Sequence, residues 1–77
     1  TALATARDIF VMRTRREALA AQLLAQERVR FFEGVSDQFL LIAREKATLQ
    51  ASLQRIDAEL DILRNELALH ATLAQLF

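Results

Sequence analysis

Gly34-Val35-Ser36-Asp37 interrupts a chain of 77 residues that contains one glycine and no proline. No other stretch carries a helix-breaking signal, so these four residues divide the sequence into two amphipathic halves. Gly34 can take the left-handed backbone that ends a helix without a Cβ clash. Arg28 and Arg30 lie in the turn before it, where cations suit the C-terminal end of the helix dipole. Ser36 stands where the second helix needs an N-cap, with Asp37 in that helix's positive first turn. Val35 then falls at N′ and Leu40 at N4, the spacing of a hydrophobic staple. Val35 is also spaced to meet Val29 as the C″ partner of a Schellman ending. A loop this short makes the helices antiparallel. The expected fold class is all-α: a long antiparallel coiled-coil hairpin, with one helix over about residues 3–33, the turn at 34–35 and the second helix over about 36–76.

From Phe39 onward one heptad seam runs Phe39, Ile42, Lys46, Leu49, Leu53, Ile56, Leu60, Leu63, Leu67, His70, Ala74 and Phe77, in alternating steps of three and four. In the first half Ile9, Met12, Leu19 and Leu23 follow the same rule, with Arg16 interrupting. The stripe then drifts towards Leu24 and Phe31, as a stutter or a straightening helix would produce. These stripes are expected to form the seam between the two arms, with Lys46 extending its ammonium to solvent. The arms come to roughly 50 and 60 Å at the rise of an α-helix.

Such a hairpin has too little interior. Hydrophobic residues make up 53% of the chain, and a second line of Ile62, Leu69, Leu73 and Leu76 lies off the heptad stripe. Below about 80 residues a single core seldom suffices without staples, metals or partners. Further helices are therefore expected, from the same polypeptide or by self-association.

Ten Lys and Arg balance ten Asp and Glu, for no net charge, so the broad attraction that holds most nucleic-acid binders is missing. The absence of cysteine removes a disulfide framework and a thiol nucleophile. The longest apolar run, Phe39 to Ala43, falls far short of the ~20 residues that cross a bilayer. No basic segment precedes an apolar one at the start, and the chain begins at Thr1, so it reads as an excised piece of a longer protein.

No residue pattern points to catalysis, a cofactor or a metal. Ser36 is read as a cap, because no base stands near it in sequence. His70 lacks ligand companions at helical spacing and reads as a seam residue, with Glu66 placed four positions before it. Asp57, Glu59 and Asp61 have no cleft in a two-helix object, and Arg13, Arg15 and Arg16 beside Glu17 read as a solvated face.

The stretch Arg30-Phe31-Phe32-Glu33-Gly34-Val35-Ser36-Asp37 resembles the R-Y-x-x-G-V-S-D region of the outer membrane efflux proteins, the TolC-like channel family. Leu69-His70-Ala71-Thr72-Leu73 lies at the same distance from the glycine as that family's closing L-Y-x-A-L segment. The resemblance covers roughly residues 7 to 77. It implies a trimeric channel for efflux or type I secretion in the cell outer membrane, whose periplasmic portion is an α-helical barrel. A hairpin with this turn would then line the tunnel and form the tip that meets a periplasmic adaptor, itself linked to an inner membrane transporter. By this resemblance Arg30, Gly34, Val35 and Ser36 map to the partner-binding tip. The chain departs from the family where many members carry D-V-L-D-A after the turn and this one reads Leu40-Leu41-Ile42-Ala43-Arg44. The alternatives are the helical hairpin of a membrane fusion adaptor and a generic coiled-coil oligomerisation module.

Overall fold

The computed structural model describes residues 1–76. It is a hairpin of two helices, α1 over Ala2–Phe32 and α2 over Gln38–Leu76, measuring 65 × 15 × 12 Å. The Thr1 hydroxyl caps α1 by accepting from the Ala4 N–H at 3.2 Å, which satisfies one of the four free donors at a helix start. At the other end Gly34 has φ +78°. The Val35 N–H donates to the Arg30 carbonyl at 3.0 Å and the Gly34 N–H to Phe31 at 3.1 Å. Those two bonds are the pair that defines a Schellman ending.

The start of the second helix differs from the sequence reading by one cap. Asp37, not Ser36, is the N-cap: its Oδ1 accepts from the Leu40 N–H at 2.8 Å, and its carbonyl accepts from the Leu41 N–H at 3.2 Å. The connection is therefore Glu33–Asp37, longer than the expected 34–35, and the expected Val35–Leu40 staple is absent, because N′ is now the polar Ser36. The cause is a competing bond, because the Ser36 hydroxyl donates to Oε1 of Glu27 on α1. Asp37, with a charged acceptor, is left to cap the helix.

The larger correction concerns the seam. The face that α1 turns towards α2 carries Ala6, Phe10, Arg13, Glu17, Ala20, Leu24 and Glu27. The face that α2 returns carries Leu41, Arg44, Thr48, Ala51, Arg55, Ala58, Ile62 and Asn65. Both keep heptad spacing, yet small and polar residues alternate there with only Phe10, Leu24, Leu41 and Ile62 as large apolar ones. Ala58 is 1% exposed, at a point where a methyl side chain lets two helices approach closely. The leucine stripe expected inside lies outside: Leu49 is 60% exposed and Leu67 69%, with Leu53, Ile56, Leu60 and Leu63 also exposed. Phe77 of that stripe lies outside the described residues. Ile62, expected to be uncovered, is half-buried against α1, whereas Leu69, Leu73 and Leu76 are exposed as expected.

Polar groups set the register of the arms. Arg55 Nε donates to both carboxylate oxygens of Glu17, at 2.9 and 3.0 Å. Arg13 reaches the Gln54 carbonyl at 3.2 Å and Asp57 at 3.4 Å, and Arg7 lies 3.6 Å from Glu66. Thr48 shares its hydroxyl between the Arg44 carbonyl, at 2.9 Å, and the Ala20 carbonyl across the interface, at 3.3 Å. A one-turn slip would break all of these together, which is how polar seam positions specify alignment.

Candidate partner-binding tip

The turn is held from three directions. The Schellman bonds fix the end of α1, the Asp37 carboxylate fixes the start of α2, and the Ser36–Glu27 bond ties the loop back to α1. Glu27 is buried at 4% exposure, so its bond to Ser36 satisfies a carboxylate that would otherwise be costly to enclose. Nearby on α2, Arg44 is half-buried, and its Nε is the one buried side-chain polar atom among the described residues without a hydrogen-bond partner.

Of the four residues assigned to the tip, Arg30, Gly34 and Val35 are exposed, while Ser36 is half-buried with its hydroxyl turned into the hairpin. A Cβ built on Gly34 meets nothing within 4 Å. The glycine is therefore required by backbone conformation, not by a neighbour's proximity.

The sequence reading missed the residues that dominate this end of the molecule. Phe32 is 86% exposed and Phe39 84%, standing on either side of the turn, with exposed Val35 between them in sequence. Phe31 braces Phe32 edge-to-face, ring centroids 6.2 Å apart at 71°, a favoured aromatic geometry. The adjacent phenylalanines before the glycine were the available signal. Phe39 falls by its spacing on the expected inner seam, yet it stands in solvent. Large apolar side chains thus stand in water on both sides of the turn.

The electrostatics lie farther along the arms. The Arg55 guanidinium holds the Glu17 carboxyl below the ordinary value of 4.5 and is itself pushed up by that carboxylate. Both side chains are about one quarter exposed, so the pair works at the margin of the interface. Among the described residues no three metal-ligating side chains come together, no cavity is enclosed, and no helix is long and apolar enough to cross a membrane. No protein family, curated protein or solved structure was found to match the chain.

Proposed function

We propose that this chain is a tip-forming helical hairpin of a TolC-like outer membrane channel for efflux or type I secretion, acting as tunnel wall and as the docking end for a periplasmic adaptor. The observation that carries the reading is the apolar rim of Phe32, Val35 and Phe39 around a turn locked by hydrogen bonds. Such a rim offers a pre-ordered apolar surface to a partner's helical tip, which limits the ordering cost of docking. The outward leucine stripe of α2 adds support, since a helix in a closed wall needs neighbours on two sides. In this reading the parent is a trimer in the outer membrane, the hairpin lies in its periplasmic portion, and the partners are the adaptor and an inner membrane transporter. The hairpin contributes no chemical step and takes no cofactor.

The test uses the full-length parent carrying Val35→Asp. A charge on the rim is expected to leave helicity and trimer assembly intact while impairing export, because docking would desolvate an unpaired carboxylate. Normal export from an assembled Val35→Asp channel would remove the tip-contact assignment.

A further inference from the structure

The buried carboxylate at the tip stands between two donors and serves one of them. Glu27 accepts from the Ser36 hydroxyl, while Nε of Arg44 is enclosed without an acceptor. The bond from Thr48 to the Ala20 carbonyl fixes the alignment of the arms. It sets Arg44 level with Leu24, one turn farther from the tip than Glu27, an offset of about 4.5 Å for three residues of rise. Cα–Cβ bonds lean towards the N-terminus of their own helix, so in this antiparallel pair Arg44 leans towards the tip and Glu27 away from it, each towards the other. A carboxylate and a guanidinium make a charge-assisted bond, and a buried donor without an acceptor is costly. The Ser36 bond therefore holds Glu27 against a competing partner.

We propose that Glu27 exchanges between Ser36 and Arg44, and that the exchange moves the start of α2 by one residue. With Glu27 on Ser36, Asp37 caps the helix through the Leu40 N–H and Val35 stands in solvent. With Glu27 on Arg44, the released serine hydroxyl accepts from the Phe39 N–H as the N-cap, and Asp37 becomes the first helical residue. Val35 then occupies N′ and Leu40 N4, so two side chains that are exposed in the first setting close on each other as a hydrophobic staple. The Schellman bonds of Gly34 and Val35 lie before Ser36 and are kept in both settings. Neither setting leaves α2 uncapped. One has the serine–glutamate bond, the other the ion pair and the staple, so they interconvert without unfolding an arm.

The exposure of Val35 thus depends on the partner that Glu27 takes. A molecule that covers Val35 gains that contact only where Asp37 is the cap, so its binding selects that setting. The exchange rests on the turn's own bonds and not on the channel reading, and it is measured on the chain alone.

Solution NMR of the chain tests it. Glu27→Ala releases Ser36 and should give a Val35–Leu40 methyl contact several-fold stronger than in the wild-type chain. Glu27→Ala with Ser36→Ala should lose that contact again, because Asp37 is then the remaining cap, whereas a contact produced by general loosening of the tip would persist. In Ser36→Ala alone Glu27 turns to Arg44, and the Arg44 Nε proton should move downfield as it gains a carboxylate acceptor. That movement should be absent from the double variant. An unchanged Val35–Leu40 contact in Glu27→Ala, its persistence in the double variant, or an unmoved Arg44 proton in Ser36→Ala would each overturn the exchange. Should Glu27→Ala fail to fold, the Arg44 proton in Ser36→Ala decides alone.

Discussion

At the scale of single residues the turn is a division of labour. Gly34 supplies a positive φ of 78° in open space, so its replacement costs backbone strain and nothing else. Gly34→Ala should destabilise the hairpin by about 1 kcal/mol. A synthetic chain carrying D-alanine there should match or exceed the glycine chain, because a D-residue prefers that backbone region and restricts the unfolded state. Urea midpoints of the three chains make the comparison, and equal losses for both alanines would contradict it. Asp37→Ala should cost about 1 kcal/mol as a lost N-cap, with Asp37→Asn retaining most of the stability. The position of the turn was legible because glycine occurs once. The choice between Ser36 and Asp37 as cap was not, since both residue types cap helices. Glu27, nine positions before Ser36, decides it by engaging the serine hydroxyl.

At the scale of the helices, periodicity marks the right elements and, on α1, a seam through Ile9, Leu23 and Leu24 that is half-buried or buried, but on α2 it marks the wrong face. A heptad of leucines identifies a face that wants another helix, yet it does not say which helix. Leu49, Leu53 and Leu60 announce such a face on α2, while α1 meets the plainer one of Thr48, Ala51, Arg55 and Ala58. That second heptad has the same spacing, but its arginine and threonine carry no apolar signal. What distinguishes it is the cross-helix partner of each polar group, Glu17 for Arg55 and the Ala20 carbonyl for Thr48, and those pairings exist only once the chain has folded back. The Arg55–Glu17 contact gives a pH dependence with a definite sign. The folded Glu17 carboxyl lies below its ordinary 4.5, so its contribution is fully present above that value and is lost as pH falls through the lower folded value. Thermal midpoints measured against pH should decline in that acid window for the wild-type chain. They should decline less for Glu17→Gln, and parallel curves would show that the pair does not couple to folding.

At the scale of the whole molecule the arms are unequal, 31 residues in α1 against 39 in α2. The last ion pair between them is Arg7 with Glu66, and every described residue from Leu67 to Leu76 is exposed. Since α1 begins at Ala2, only five residues before Arg7, the final turns of α2 have backbone hydrogen bonds within the helix and little packing from α1. A helix held only by its own backbone is marginal in water, and it opens locally without the rest of the molecule unfolding. Native-state hydrogen exchange, at a dilution where the chain sediments as a monomer, should find the amides of Thr72 to Leu76 close to unprotected. Those of Ser52 to Ala58, beside the Arg55–Glu17 contact and the buried alanine, should exchange near the rate set by global unfolding. Truncation after Leu69 should then leave the thermal midpoint within a few degrees of the full chain, by roughly 4–8 °C per kcal/mol for a domain of this size. Uniform protection through Leu76 in the monomer would mean that the terminal turns are anchored by something other than α1. Protection that grows with chain concentration would instead locate that anchor on a neighbouring copy, since mass action is what separates the two cases.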